Sequence, residues 1–206
     1  NERKIKLMLD YTNRAATYDK RWRTYCLASF SRSLDLIHVE RETELLDIAC
    51  GTGIFLDIME RKYPHISLTG IDSNQAMLNE AATKVSEKVN LKKERADQLS
   101  FDTEKFDWVI LSNCIGHFDN QEQCLKEAYR VLKKSGKIII TDWTQDSIMM
   151  RLANFYTKTF DYKPYNSLYS YEIESMLKSL NICIQSADNF RINWFWSAST
   201  IMGVKL

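Results

Sequence analysis

The 206-residue chain, 45% hydrophobic, is long enough for one α/β domain with a substantial core and short for two independent domains. Its 28 basic and 27 acidic residues leave a formal charge of +1, so no overall field attracts a nucleic-acid partner. We expect one cytoplasmic domain over residues 1–206. It has no signal-peptide core, no stretch of roughly 20 apolar residues for a membrane span, and five cysteines without disulfide or zinc spacing.

The first 40 residues carry apolar side chains at helical intervals with tyrosine and tryptophan interleaved. This pattern predicts two or three helices ahead of the first strand. The residues that carry it are Ile5, Leu9, Tyr11, Tyr18, Trp22, Tyr25, Leu27, Phe30, Leu34 and Ile37.

The first predicted strand ends in a glycine turn. The apolar run from Leu45 reaches Gly51 and Gly53, and a helical pattern follows from Ile54. Glycines permit a tight turn without Cβ atoms, and the free N–H groups at a helix start can bind a carboxylate or phosphate. The turn therefore predicts a site for a nucleotide-like ligand.

Charge indicates which ligand this turn binds. A dinucleotide fingerprint needs a third glycine where Leu56 stands, and Asp47 would repel a pyrophosphate at the strand end. Asp47 instead favours a cofactor with a sulfonium, an ammonium group and a single carboxylate, which is the pattern of S-adenosylmethionine. A nicotinamide-dependent oxidoreductase is the alternative that these residues disfavour.

Acidic residues follow the next two predicted strands. Asp72 lies about 20 residues beyond the glycines, the spacing at which a carboxylate reaches ribose hydroxyls. Asp97 ends the segment from Leu91 and can accept a hydrogen bond from an amino group such as that of adenine. Because ligands bind at the carboxyl ends of parallel strands, these acids and Asn113, after the fourth strand, are expected to converge.

Strands and helices alternate from Leu45 to Trp143, which predicts a mostly parallel sheet covered on both faces. The segment from Lys134 to Lys137 predicts the end of a helix, and a buried strand is predicted to follow it at Ile138 to Thr141. The further predicted elements are helices near 54–62, 74–87, 120–133 and 171–180, a helical cap over 144–170, and strands near 182–191 and 194–205.

Five segments together resemble the class I S-adenosylmethionine-dependent methyltransferases, in particular the small-molecule branch that includes the ubiquinone and menaquinone biosynthesis enzymes. They cover about half the chain in that family's order: LLDIACGTG at 45–53, GIDSNQAML at 70–78, RADQLSF at 95–101, FDWVILSNCIGHF at 106–118 and AYRVLKKSGKIIITDW at 128–143. The resemblance implies a Rossmann-like, doubly wound, mostly parallel seven-stranded sheet with an antiparallel last strand. It also divides the chain into N-terminal helices (1–40), a cofactor-binding core (41–143), a cap insertion (144–170) and a C-terminal helix with strands (171–206).

The resemblance also assigns cofactor-binding residues. It implies that the methionine end is surrounded by Asp47, Ala49, Gly51 and Gly53, that Asp72 holds the ribose, that Asp97 and Gln98 meet the adenine, and that Asn113 lies beside the sulfonium. Ser73 and Met77 are further implied cofactor-binding residues. Tyr18 matches the family's leading Tyr-Asp element. Ala49 departs from the pattern, because many members have glycine there.

Methyl transfer needs a positioned acceptor, excluded water and, for an O–H or acidic C–H acceptor, a base. His117 is the candidate base, and the alternative is a loop histidine that closes the pocket or caps the helix near Asn120. We expect a small-molecule acceptor. The aromatic segment Phe155 to Tyr169, with Trp143, either walls a pocket for a flat or lipophilic molecule or packs in the core. A cofactor-binding protein without turnover stays open, as does the oligomeric state.

Overall fold

The computed structural model of the chain describes residues 2–39, 42–160 and 165–206. Its strands are β1 (Glu44–Ile48), β2 (Ser67–Asp72), β3 (Asn90–Lys93), β4 (Phe106–Ser112), β5 (Leu132–Asp142), β6 (Ile182–Arg191) and β7 (Ser197–Lys205). Its α-helices are α1 (Glu2–Leu36), α2 (Ile54–Lys62), α3 (Gln75–Ala82), α4 (Gln121–Val131), α5 (Ile148–Phe160) and α6 (Ser170–Ser179), and a 3₁₀ turn covers Ile115–His117.

The strands form one sheet in the order β3-β2-β1-β4-β5-β7-β6. Strands β1 to β5 pair in parallel, whereas β7 runs antiparallel to both β5 and β6. The predicted fold class is therefore confirmed. The strand order reverses between β1 and β4, and such a reversal opens a crevice at the carboxyl ends of the strands.

Both faces of the central strands β1 and β4 are buried, as expected for parallel strands covered by helices. Successive side chains of a strand point to opposite faces, so Leu45 packs toward α1 and α2 while Leu46 packs toward α4 and α6. Both leucines are fully buried. This alternation explains why β1 is continuously apolar.

One helix, α1, replaces the two or three helices predicted for the N-terminal region. The physical reason is that the first 40 residues contain no glycine or proline to interrupt a helix. Buried Phe30 packs on Phe55 of α2, and the Ser33 hydroxyl is hydrogen-bonded to that of Thr141 at 2.8 Å, which anchors α1 to the sheet. The side chains of Ile5 and Leu9 lie outside the described residues.

Helix α4 ends at Val131, and β5 begins at the next residue, so the predicted helix stop at Lys134 to Lys137 lies inside the strand. The Ser-Gly pair marks an irregularity in the strand and not the end of a helix. Ser135 has a left-handed φ of 60°, and the β4–β5 register shifts here. The chain bulges at this point without leaving the sheet.

Two other boundaries differ from the predicted ones. Helix α3 ends at Ala82, five residues before the predicted end at residue 87. The amides of Lys84 and Val85 both donate to the Ala81 carbonyl, and this closes the helix. Strand β7 starts at Ser197 because Asn193 Oδ1 accepts the amides of Phe195 and Trp196, which forms a hairpin loop before the strand.

The predicted cap contains helix α5 and a segment that returns toward β5. Ile148, Leu152 and Phe155 of α5 are all more than half exposed. The side chains of Tyr156 and Phe160, and all of Tyr162, lie outside the described residues. Across the described ranges, no helix has the length and hydropathy of a membrane span.

Candidate active site

A cavity of about 480 Å³ opens at the carboxyl ends of β1, β2 and β4, beneath α1. This is the crevice that the strand order creates. The predicted site residues that line it are Tyr18, Ala49, Gly51, Asp72, Ser73, Met77, Asp97, Asn113 and His117. Asp47, Gly53 and Gln98 are not among its lining residues.

The glycine turn uses its two glycines for different purposes. Gly51 has a φ of +55°, and a Cβ added there would meet no atom within 4 Å, so the peptide faces open space in the cavity. Gly53, with a φ of +77°, begins α2 as its N-cap, and an added Cβ would lie 2.8 Å from the Ala81 Cβ. Gly51 thus leaves room for a ligand, and Gly53 allows close packing on α3.

Ala49 occupies a position where the backbone itself favours glycine. Its φ is 59°, in the left-handed region that side chains rarely adopt. The departure from the family pattern therefore carries backbone strain as well as the extra methyl group in the cavity lining.

The Asp72 carboxylate joins the end of β2 to the glycine turn. It accepts the Gly51 amide at 3.0 Å and the Asn74 amide at 2.8 Å. Burial raises the pKa of Asp72, and these backbone hydrogen bonds oppose that rise by stabilising the charged form. Asn74 in turn caps α3, because its side chain accepts the amide of Ala76 at 2.9 Å.

Asp47 lies in β1 with 2% of its surface exposed, and it does not face the cavity. Burial, and then the charge of Asp72, raise the pKa of its carboxyl well above the usual range. The expected position at the strand end is correct, but the side chain is buried in the protein below the glycine turn.

Asp97 lies on a tight turn after β3, closed by a bridge between Arg95 and Gln98. Its carboxylate accepts two hydrogen bonds from Arg95, at 2.9 and 2.6 Å. The following chain is held by α4, since Glu127 accepts the Leu99 amide at 2.8 Å. The turn places Asp97 in the cavity lining and leaves Gln98 outside it.

Asn113 is held by α1, which the sequence did not indicate. Its Oδ1 accepts the Tyr25 hydroxyl at 3.0 Å, and its Nδ2 donates to Ser29 Oγ at 2.8 Å. Its φ of 55° turns the chain out of β4 toward the 3₁₀ turn. Burial raises the pKa of Tyr25 well above its ordinary value, which keeps this hydroxyl a donor.

His117 is the last residue of the 3₁₀ turn, and its Nε2 is hydrogen-bonded to the Tyr11 hydroxyl at 3.0 Å. The predicted alternative role, capping the next helix, belongs to Asn120, whose Oδ1 accepts the Gln123 amide. The structure therefore places His117 in the cavity lining, against α1.

Asp142, at the end of β5, supports the site from outside the cavity lining, and the sequence analysis did not single it out. Its carboxylate accepts the amides of Ile115 and Trp143, each at 2.7 Å, and the hydroxyl of Tyr165. The Ile115 contact fixes the 3₁₀ turn that carries His117. The same rule that identified Asp72, an acid at a parallel strand end, applies to Asp142.

The aromatic residues of the cap pack behind the site. Tyr165 stacks on Trp143 with ring centroids 4.3 Å apart, and Trp143 meets Trp196 edge to face at 4.5 Å. No lining residue of the cavity comes from the described part of 144–170. Tyr165, Trp143 and Trp196 therefore pack on one another and do not line this cavity.

Helix α1 is also fastened to the glycine turn. Asp19 accepts the Thr52 hydroxyl at 2.5 Å and pairs with Lys84 at 3.0 Å, while Lys84 also donates to the Thr52 carbonyl at 3.0 Å. Thr52 and Asn74 line the cavity although the sequence analysis did not predict them as cofactor contacts. Helical spacing revealed α1, but not which loops it would contact.

The cysteines are all free, and burial raises the pKa of the Cys26 and Cys124 thiols to about 12. These side chains are therefore apolar fillers of the cavity wall and not nucleophiles. Among residues 2–39, 42–160 and 165–206, no group of three acidic, cysteine or histidine side chains is arranged for a metal ion.

Replacing the two glycines by alanine should have unequal effects. Gly53→Ala adds a clash with Ala81 to the left-handed strain, and we expect the free energy of unfolding to fall by about 2–4 kcal/mol. Gly51→Ala, the matched control, adds the strain alone and should cost about 1–2 kcal/mol. Denaturant unfolding measures both, and equal losses would contradict the packing role of Gly53.

Asp142 should make stability depend on pH. Burial raises its pKa from 3.8 to about 6, so the folded protein binds this proton more tightly than the unfolded chain. The stabilisation that protonated Asp142 gives the folded protein is present at low pH and is lost as the pH rises through about 6. Relative to Asp142→Asn, the wild-type protein should lose about 2–2.5 kcal/mol of unfolding free energy between pH 4 and pH 7.

Denaturant titrations of both proteins at the two pH values test this expectation. Asp102→Asn, at an exposed site, is the control and should follow the wild-type pH dependence. A difference between wild type and Asp142→Asn that stays constant with pH would contradict the raised pKa.

Comparison with known proteins agrees with this architecture. Residues 46–140 match a family model described as a methyltransferase domain. A demethylmenaquinone methyltransferase of Thermotoga maritima is 28% identical over 73% of this chain and 65% of its own length. A ubiquinone/menaquinone biosynthesis C-methyltransferase of Geotalea daltonii is 27% identical over 71% of this chain and 64% of its own length. The chain thus spans less than two thirds of these relatives.

Solved structures share the fold at low sequence identity. An S-adenosylmethionine-dependent methyltransferase of Thermotoga maritima, described as a possible histamine N-methyltransferase, has a TM-score of 0.78 at 20% identity, over 95% of this chain and 98% of that one. A second such methyltransferase, from Aquifex aeolicus, has a TM-score of 0.72 at 15% identity over the same shares. The matched domain, the relatives and the fold agree with one another: the chain is similar to S-adenosylmethionine-dependent methyltransferases and shares their fold.

Proposed function

We propose that this protein transfers a methyl group from S-adenosylmethionine to a small organic molecule. One observation carries the proposal. The open peptide at Gly51, the carboxylates of Asp72 and Asp97, and the amide of Asn113 come from four separate loops, and all line one cavity. No finding supports the nicotinamide-dependent alternative.

The cavity fits this cofactor sterically and electrostatically. Space lies open where a side chain at Gly51 would project, as a ligand bound against the peptide requires. Four acidic residues line the cavity against two basic ones, and Arg95 is paired with Asp97, so the lining is negative overall; the acidic residues are Asp72, Glu94, Asp97 and Asp119, and the basic ones are Lys93 and Arg95. A cationic sulfonium and ammonium group complement such a lining, whereas a pyrophosphate would be repelled.

Six of the predicted binding residues have the following roles in this proposal. Asp72 accepts hydrogen bonds from the ribose hydroxyls, and Asp97 accepts one from the adenine amino group. Gly51 and Ala49 border the methionine end, where Asn113 presents its amide. Buried Asp47 contributes its charge from below the turn without direct contact.

The bound cofactor supplies an electrophilic methyl group, and this chain's residues position it and exclude water. Tyr18 and Tyr11 of α1 cover the cavity from above, since both line it. Where the acceptor carries an O–H or acidic C–H, His117 takes its proton. The cavity has the volume of an ordinary small-molecule site.

The class of acceptor is inferred from the relatives that are described as demethylmenaquinone methyltransferases. We infer that hydroxylated aromatic compounds belong at the head of a candidate panel. Incubation of the protein with S-adenosylmethionine and such a panel, followed by mass spectrometry, tests turnover. A protein that binds the cofactor and methylates no member would favour a binding role without turnover.

Replacing Asp72 should weaken cofactor binding. The Asp72→Ala change deletes a charge-assisted contact worth roughly 1.5–3 kcal/mol, so we expect affinity for S-adenosylhomocysteine to fall about 10- to 100-fold. Isothermal titration calorimetry measures this, with Asp102→Ala at an exposed site as the matched control. Unchanged affinity in Asp72→Ala would show that the ribose lies elsewhere, and no saturable binding by the wild type would remove the proposal.

His117→Ala should separate the two interpretations of this histidine. Once a methylated product is known, loss of a general base should lower kcat about 10²- to 10⁴-fold while cofactor affinity changes far less. Steady-state kinetics with the His65→Ala control, at an exposed turn, checks this. Near-normal turnover in His117→Ala would leave the residue as a wall of the pocket.

A further inference from the structure

Three tyrosines of α1 lie seven residues apart, at positions 11, 18 and 25. Two helical turns separate neighbours in this series, so all three side chains project from one face of the helix. Tyr25 holds Asn113, Tyr18 lines the cavity, and Tyr11 reaches His117. The part of α1 from Tyr11 to Tyr25 therefore contacts the site at three successive points.

The contact between Tyr11 and His117 joins two elements that are 106 residues apart in sequence. The hydroxyl lies 3.0 Å from Nε2, and the rings meet edge to face with centroids 5.6 Å apart. Both residues line the cavity. This hydrogen bond therefore crosses the cavity from α1 to the 3₁₀ turn.

His117 is also braced on its other side. The Tyr165 ring lies edge to face with the imidazole, with centroids 4.7 Å apart, and the Tyr165 hydroxyl donates to Asp142. Gly116 makes this approach possible, because a Cβ there would lie 2.3 Å from the Tyr165 ring. The imidazole is thus held between a fixed ring from the cap and a hydroxyl from α1.

We propose that Tyr11 is a positioning residue for His117 and that their hydrogen bond is a latch holding α1 across the bound cofactor. The inference rests on the proposed function. Tyr11 and Tyr18 line the cavity, and in this proposal a bound ligand leaves when this part of α1 lifts away. When α1 lifts, the hydrogen bond between Tyr11 and His117 breaks. When α1 covers the cofactor, the bond is made and holds the imidazole in place.

The latch predicts how fast a bound ligand escapes. Tyr11→Phe keeps the ring and removes the hydroxyl, so the dissociation rate of S-adenosylhomocysteine should rise about fivefold, the effect of one neutral hydrogen bond, with little change in the association rate. Stopped-flow fluorescence measures both rates. Tyr171→Phe removes the same group from an exposed ring of α6 and should leave both rates unchanged.

A double-mutant cycle separates a latch from two independent losses. His117→Gln should also raise the dissociation rate about fivefold, and Tyr11→Phe combined with His117→Gln should dissociate no faster than either single variant. His65→Gln, at an exposed turn, is the control. In parallel, the ring-nitrogen NMR shifts of His117 should move in Tyr11→Phe and stay constant in Tyr171→Phe.

The outcomes distinguish the two levels of the proposal. The latch is contradicted if the single variants release the ligand at the wild-type rate, or if their effects multiply in the double variant. Either outcome leaves the proposed function standing. Constant His117 ring shifts in Tyr11→Phe overturn the positioning role. A wild-type protein that binds no S-adenosylhomocysteine overturns the proposed function together with the latch.

Discussion

The site depends on the reversal of strand order between β1 and β4. Parallel strands deliver their carboxyl ends to one edge, and the reversal sends the connections after β1 and β4 to opposite sides, which leaves a crevice between them. Gly51, Asp72 and Asn113 follow three of these strand ends. Their convergence in one cavity is thus a consequence of topology, and each loop adds only local geometry.

Around that crevice, buried carboxylates contribute to the electrostatic environment, with Asp72 in the cavity lining and Asp47 and Asp142 outside it. Burial raises the pKa of Asp47, Asp72 and Asp142, and each carboxyl is placed where desolvation disfavours its charge. Backbone amides offset this cost at Asp72 and Asp142. A cationic cofactor beside Asp72 would offset it further, which links the folding of the glycine turn to the chemistry proposed for the cavity.

Helix α1 completes the site by contacts that are polar and long-range. It meets the glycine turn through Asp19, the end of β4 through Tyr25, and the 3₁₀ turn through Tyr11. Its apolar side packs on α2 and the sheet, as Phe30 does on Phe55. The same helix is therefore part of the core at one end and a cover for the cavity at the other.

The sequence by itself determined the fold class, the glycine turn and the acids at the strand ends, because hydrophobic periodicity and turn residues are local signals. Even the helix boundary at Ile54 to Lys62 follows from them. Tertiary structure alone decided that α1 is continuous over the cavity, that Asp47 is buried below the turn, that Asp142 anchors the 3₁₀ turn, and that Tyr165 of the cap packs against His117. These outcomes depend on contacts between residues far apart in sequence, whose partners no local pattern specifies.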